Sequence, residues 1–460
     1  MLFTEVLFWI YLLFTLFVFY AIPRSWRSTF LLIISYLFYA TWDIRFLSLM
    51  AMSTLADYFC GLYAYRYKSK RALYFSIIFN LSLLGIFKYF NFFLLQLGDL
   101  ISVSPDSFFL SWGVPVGISF YTFQSISYTV DCYRRTLKPT KSIVLFSLYV
   151  SFFPQLLAGP IEKAHSLLPQ LRSLPKARPL HIRRALFLIL LGLYKKIYIA
   201  DTLLHMIESY LHQEVIFFHE ILFLGLITTF TVYFDFGAYS TIARGISYLF
   251  GIELVINFKP FFLSRNPTQF WRRWHISLTN WIRDYVFNPL LRQRFWRKRT
   301  YSLNYFIMIL IGVWHGPKFN WLLWGICAGL FVAIFRIAKN SKIAKAAPLR
   351  LRTIASYSTM ILMYIFLGNL HLLEDQNYRS LVASFQFTFA STESLLLSLQ
   401  YLLPYLIPIF LYELISIKKE SDYLFEELSP LKQSILAGYL IGAITFIENS
   451  SLSSFIYFQF

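Results

Sequence analysis

Apolar runs of membrane-crossing length recur along almost the whole chain, and they leave few folds open. A helix needs about 20 apolar residues to cross the hydrocarbon of a bilayer. Residues 2–22 meet that length, 30–42 are short for a span and suit a tilted or partial one, and 46–65 and 73–100 are full candidates. Further runs are 114–130, 143–157, 185–198, 216–236, 248–256, 305–313, 321–337, 354–373, 395–417 and 435–446. Only 14% of the 460 residues are charged, against about 25% in soluble chains. The period-two alternation of a barrel is absent. The expectation is an all-α polytopic membrane protein, one membrane-embedded domain over residues 1–460, with about 10–13 membrane helices. Residues 2–22 lack a basic leader and a small-residue cleavage site, so they read as a retained span.

Charge orients the runs. Forty-two Lys and Arg against 23 Asp and Glu give a net charge of +19. The basic residues sit at run ends, as in Arg66, Lys68, Lys70 and Arg71, and again in Arg134, Arg135, Lys138 and Lys141. Such clusters mark cytoplasmic loops and point to the inner, cytoplasmic membrane. The interleaving of charge with spans argues against nucleic-acid binding. The polar residues 104–107 then fall on the opposite side. Alternation breaks at 143–157, because the following basic segment, 162–184, carries Pro169, Pro175 and Pro179. A re-entrant hairpin near residues 154–160 repairs the count, since irregular backbone at that depth is tolerated only inside protein or beside water. Cys60, Cys132 and Cys327 are far apart and show neither metal spacing nor a disulfide framework. The tail at residues 455–460 is too aromatic for a disordered end.

Two signatures stand out. Phe270-Trp271-Arg272-Arg273-Trp274-His275-Ile276-Ser277 lies in a segment, 259–299, that holds ten Lys or Arg and one acid, Asp284. Asn266 can cap a helix there, Pro267 suits its first turn, and Gln269 follows three after the cap. Trp271, Trp274, His275, Leu278 and Ile282 then share one face, with Arg272, Thr279 and Arg283 on another, as in an interfacial amphipathic helix. His275 on that apolar face is either a structural histidine or a working one. The second signature, Val313-Trp314-His315-Gly316, lies inside the apolar stretch 305–330. An ionisable group at membrane depth usually has a task, and burial favours the neutral imidazole that a general base requires. A buried histidine bridging helices is the alternative for His315. Gly316 and Pro317 predict that the helix ends or bends there. Trp314, Arg272, Arg273, Trp274, Arg283, Asp284 and Asn320 flank the two histidines and are candidate donor- or substrate-binding residues.

With Leu37-Phe38-Tyr39-Ala40, Leu157-Ala158-Gly159-Pro160-Ile161, Tyr233-Phe234-Asp235-Phe236, Tyr239-Ser240, Asn257-Phe258, Trp281-Ile282-Arg283-Asp284-Tyr285 and Leu323-Trp324-Gly325 in the same order around these signatures, the chain resembles the membrane-bound O-acyltransferase family, and within it the bacterial alginate O-acetyltransferase branch. The resemblance runs nearly end to end, with its motif core over residues 231–330. It implies a helical bundle with re-entrant and interfacial helices around a central tunnel. A thioester donor, acetyl-CoA or an acyl-carrier protein, is then presented from the cytoplasm. The acyl group passes to a hydroxyl of an extracytoplasmic polysaccharide or of a partner acyltransferase. No permanently bound cofactor or metal is implied. His315 matches the family's essential histidine and His275 its second prominent one. Two departures touch the acceptor side: Gly237-Ala238-Tyr239-Ser240-Thr241 replaces the usual Ser-Gly-Tyr-Ser-Asp, and Ala328 stands where a further histidine is common.

The resemblance assigns His315 the proton of the attacking hydroxyl. His275 then holds the carbonyl oxygen, orients His315 or protonates the thiolate. A covalent route needs a Ser or Cys beside a base, and these motifs show no such pair. A transporter or channel, with the histidines relaying protons or a solute, is the rival class; paired interrupted helices in two related halves would mark it, and the sequence has no such symmetry. A third class is a non-catalytic partner that docks an extracytoplasmic enzyme.

Overall fold

A computed structural model describes residues 1–101, 113–174, 178–373, 375–383, 393–419, 423–447 and 455. The polar stretch 104–107 and the tail beyond Phe455 lie outside the described residues. Among the described residues every regular element is helical. The N-terminal helices are α1 (Val6–Ala21), α2 (Arg24–Ala40), α3 (Ile44–Tyr67), α4 (Lys70–Ile101), α5 (Ile118–Arg134), α6 (Ile143–Ser151), α7 (Ala164–Ser173) and α8 (Pro179–Leu193). A π-helical turn, Tyr194–Ala200, leads into α9 (Asp201–Leu211) and α10 (Phe218–Leu249). Then come α11 (Pro267–Trp271), α12 (Ile276–Ile282), α13 (Asn288–Leu291), α14 (Thr300–His315), α15 (Phe319–Asn340) and α16 (Lys342–Ala346). The last are α17 (Leu349–Leu372), α18 (Gln376–Ala383), α19 (Glu393–Lys418) and α20 (Pro430–Thr445).

Six of these, α3, α4, α10, α15, α17 and α19, are long and apolar enough to cross a bilayer, and the chain is a multi-pass membrane protein. Helices α1, α2, α5, α14 and α20 have 16 or 17 residues, at the lower edge of the roughly 17–25 that span. The expected ~10–13 membrane helices therefore require that some of these shorter ones cross too. The basic clusters end helices as anticipated: α3 stops at Lys68 and α5 at Arg135, both in the left-handed region (φ 50° and 60°).

Close packing groups the chain into two units. The first comprises Met1–Ile189, Tyr239–Ile256 and Asn280–Tyr285. Its core contains the irregular segment anticipated near residues 154–160. Helix α6 stops after nine residues, and Phe152, Phe153, Leu156, Leu157, Ala158 and Glu162 follow it into the interior. Polar partners make this irregular backbone tolerable in the protein interior. The Phe153 amide donates to Ser35 Oγ (3.2 Å), Gly159 N to the Gln155 carbonyl (2.8 Å), and Tyr149 Oη to the Glu162 carbonyl (3.0 Å). The apolar run 248–256 is not a further helix. Gly251 (φ 76°) closes α10 with a left-handed cap, and Ile252 N reaches back to the Ser247 carbonyl at 3.0 Å. The segment beyond is apolar because Phe250, Ile252 and Leu254 are buried.

The second unit, Leu190–Ala238, Asn257–Thr279 and Val286–Phe460, carries both signature histidines. Helices α10 and α17 meet through glycines: a Cβ on Gly368 would lie 1.9 Å from the Gly225 carbonyl oxygen, so neither position admits a side chain. Below them lies a buried charge network. Lys196, fully buried in the π-turn, contacts Asp201 (2.8 Å) and Asp235 (2.7 Å). Lys195 contacts Glu413 (2.7 Å), which also accepts from Tyr233 Oη (3.0 Å). Two polar members of the Tyr233-Phe234-Asp235-Phe236 motif therefore anchor α10 to neighbouring helices.

Candidate active site

His315 is the last residue of α14, and the helix ends there as the following Gly316-Pro317 predicted. Gly316 is extended (φ −173°, ψ 162°). Its role is spatial: a Cβ there would come within 2.7 Å of Trp321 Cδ1. The missing side chain lets Trp321, in the first turn of α15, fold back onto the imidazole. The two rings stack at 4.9 Å and 23°. Trp314 and Trp324 meet the same imidazole edge-on at 4.9 and 5.4 Å.

His275 sits differently from its sequence pattern. Asn266 Oδ1 caps α11 by accepting from the Gln269 amide (2.8 Å), and Gln269 returns a side-chain bond to Arg265 N (2.8 Å). The single amphipathic helix expected beyond that cap does not form. Helix α11 ends at Trp271, and His275 takes a left-handed conformation (φ 44°) before α12 begins. The cause is tertiary: Lys259 N donates to the Arg273 carbonyl (2.9 Å) and Ile276 N to the Asn257 carbonyl (2.8 Å). These bonds outweigh local periodicity, and histidine is among the residues that tolerate the left-handed region.

Asn257 also fixes the chemistry of His275. Its Oδ1 accepts from Ser277 N (3.2 Å) and Ser277 Oγ (2.8 Å) and lies 3.2 Å from His275 Nδ1. An oxygen that accepts from a backbone amide is the carbonyl end of the side chain. His275 Nδ1 therefore carries the proton and Nε2 the lone pair. Burial pushes the imidazole down to about 3, so the ring is neutral at physiological pH. A neutral ring in this tautomer offers Nε2 as an acceptor, which suits taking or holding a proton better than donating to an oxyanion.

His275 and His315 line one cavity within the second unit. Its walls come from α10 (Thr228, Thr229, Val232, Phe236), the α11 segment (Phe270, Trp274), α15 (Trp321, Trp324) and α17 (Tyr364, Leu367, Gly368, His371). His371 is a third imidazole that the motif reading missed. It was visible as the one histidine in the run 354–373, by the same membrane-depth logic that singled out His315.

The flanking candidates divide. Trp274 lines the cavity. Trp314 is buried, meets His315 edge-on, and lies 6.4 Å from the His275 ring. Asn320 supports from behind, its Nδ2 donating to the Leu370 carbonyl (3.4 Å) next to His371. Arg272 lines a separate surface cleft with Arg336 and Lys339. Arg273 donates to the Pro260 carbonyl (2.8 Å) and holds the loop that carries Asn257. Arg283 and Asp284 bond each other (3.0 Å), and Lys163 also bonds Asp284. Arg272, Arg273, Arg283, Asp284 and Asn320 are not among the residues lining the histidine cavity.

The chain is similar in sequence to known proteins. The profile "MBOAT, membrane-bound O-acyltransferase family" matches residues 31–374. The "probable alginate O-acetylase AlgI" of Pseudomonas putida is 35% identical over 325 residues, covering 69% of this chain and 67% of the relative. The same-named protein of Pseudomonas aeruginosa is also 35% identical, with 62% of its length covered. The "peptidoglycan O-acetyltransferase" of Helicobacter pylori is 32% identical over 346 residues, 68% of this chain and 64% of the relative. The chain thus spans about two thirds of the length of the relatives it matches. The matched span contains every residue of the histidine cavity, and the chain belongs to the membrane-bound O-acyltransferase family of enzymes.

Proposed function

We propose that this protein moves an acyl group, in the first instance acetyl, from a cytoplasmic thioester to a hydroxyl outside the cytoplasm. The donor is acetyl-CoA or an acyl-carrier thioester. The acceptor is a polysaccharide, as in alginate O-acetylation, or a serine of a partner protein. The membrane is the inner, cytoplasmic one. One observation carries the reading: two histidines forty residues apart in sequence line the same aromatic-walled cavity.

In this reading His315 accepts the hydroxyl proton as the oxygen attacks the thioester carbonyl. A C–O bond forms, the tetrahedral intermediate collapses, and the C–S bond breaks. The departing thiolate takes the proton back from His315, so the imidazole ends as it began. General-base help of this kind is worth about 10²–10⁴-fold. His275, held as the Nδ1–H tautomer by Asn257, presents Nε2 and steadies the imidazolium or the incoming hydroxyl. The exposed basic run Arg292 to Arg299 supports attraction of a phosphate-bearing donor, and so does the Arg272 cleft.

The test compares acyl transfer by wild-type and His315→Ala protein at matched membrane insertion. The expected loss is at least a hundredfold; undiminished turnover ends the proposal. Mass spectrometry of surface polysaccharide with and without the gene reads the acceptor class through lost acetyl groups.

A further inference from the structure

The cavity holds one more imidazole than the motifs account for. His371 lies in the last turn of α17 and lines the cavity with His275 and His315. The rings form a chain of alternating indole and imidazole. His371 meets Trp321 edge-on at 5.3 Å, Trp321 stacks on His315 at 4.9 Å, and Trp314 links His315 to His275 at 4.9 and 6.4 Å.

The position of His371 is built. Asn369 Nδ2 donates to the Ile221 carbonyl (3.1 Å), and Tyr378 Oη bonds Asn369 Oδ1. Thr229 Oγ1 donates to the Tyr364 carbonyl (2.8 Å), and Asn320 holds the Leu370 carbonyl (3.4 Å). Together with the Gly225–Gly368 contact, these bonds fix the end of α17 against α10 and α15. Elsewhere the cavity wall is mainly aromatic and aliphatic, so a fixed imidazole is a strong determinant of what fits.

We propose that His371 determines acceptor specificity: it hydrogen-bonds a second hydroxyl of a polyhydroxylated acceptor and so fixes which hydroxyl reaches His315. The proposal rests on the acyl-transfer reading above. An imidazole offers one donor and one acceptor, which match a hydroxyl; a thioester carbonyl needs only donors. Trp321 and Trp274 give the cavity an aromatic wall against which the C–H side of a sugar ring can pack. No proton is moved by His371. The balance of the reaction remains that of His315, with the C–O bond formed, the C–S bond broken, and the proton delivered to the thiolate.

The test uses the full chain in nanodiscs with S-acetylpantetheine, the arm common to both donor types. Methyl α-mannopyranoside, with vicinal hydroxyls, is compared with cyclohexanol, which has one. His371→Phe should lower kcat/KM for the mannoside about tenfold, the effect of one lost hydrogen bond. Transfer to cyclohexanol should fall by less, so that the mannoside-to-cyclohexanol ratio of kcat/KM drops severalfold, and His371→Gln should recover part of that ratio. Equal losses for both alcohols, or no loss for either, overturn the proposal. His315→Ala distinguishes the two readings. It should abolish transfer to both alcohols and to water; if it does not, the general-base reading fails on its own account, whatever the His371 variants show.

Discussion

Replacing Asn257 by alanine removes an acceptor that helps to set the His275 tautomer. Three donors converge on Asn257 Oδ1: His275 Nδ1, Ser277 N and Ser277 Oγ, at 3.2, 3.2 and 2.8 Å. Asn257, His275 and Ser277 are all no more than 4% exposed. A buried polar group left without a partner costs about 1–3 kcal/mol. The Ser277 hydroxyl can turn away, so the net destabilisation should be about 2–4 kcal/mol, read as a lower midpoint of thermal unfolding in detergent. The chemistry should suffer separately. With the Asn257 acceptor gone the proton is held less firmly at Nδ1, and Nε2 presents its lone pair only part of the time. Transfer should fall about 10–100-fold, or roughly 1.4–2.7 kcal/mol of barrier. Asn257→Asp keeps an acceptor in place but brings a negative charge to the ring. The imidazole then shifts upward from about 3, and the rate should fall on the acid side of the pH profile as His275 protonates. The assay is initial rate from pH 5.5 to 9 on protein shown to be folded by size exclusion. Folded Asn257→Ala protein with wild-type turnover would remove His275 from the chemistry. An Asn257→Asp profile with no acid-side change would refute the tautomer argument.

Three further outcomes follow from the same geometry. Gly316→Ala forces the Trp321 indole off His315, since the added Cβ meets Cδ1 at 2.7 Å; transfer should drop about tenfold or more, with Trp fluorescence reporting the displaced ring. Lys196→Ala leaves Asp201 and Asp235 buried without their cation, a loss of about 3–5 kcal/mol that thermal unfolding should register; adding Asp235→Asn should recover part of it. His275 binds a proton near pH 6.5 when unfolded but only near 3 when folded. Stability from its burial is therefore complete above about 6.5 and is lost as pH falls toward 3, by at most about 1.4 kcal/mol per unit. His275→Gln should flatten that part of the stability curve, measured by unfolding midpoints at pH 4.5, 5.5 and 7.

Much of the fold was legible because the signals are local. Apolar runs and basic ends located α3, α4, α5, α15, α17 and α19 to within a few residues, and the Asn266-Pro267-x-Gln269 cap was read correctly. The buried segment after α6 was inferred from a broken alternation and not from its residues. Its stability depends on partners such as Ser35, over a hundred positions away. The run 248–256 misled because burial in an extended segment and burial in a helix produce the same apolar composition; Gly251 was the only local sign that α10 had ended.

The site was legible in its parts and not in its assembly. Motifs named His275 and His315, but no spacing rule brings residue 275 beside residue 315. The helical wheel placed Trp271, Trp274 and His275 on one continuous face. The real arrangement breaks the helix at His275 because Asn257, eighteen positions earlier, bonds His275, Ile276 and Ser277, while Lys259 bonds the Arg273 carbonyl before them. A periodicity argument contains no term for such a bond, so it assigned Asn257 no role beyond its place in a motif. Lys196 shows the same limit: next to Lys195 it reads as one more basic residue near a span end, and only folding turns it into the buried partner of Asp235. The residues that sequence reasoning undervalued here, Asn257, Lys196 and His371, share one property. Each acts through a contact with another helix or loop, so its task exists only after the chain has packed, and variants at these positions separate positioning from proton transfer more cleanly than further changes to His315 would.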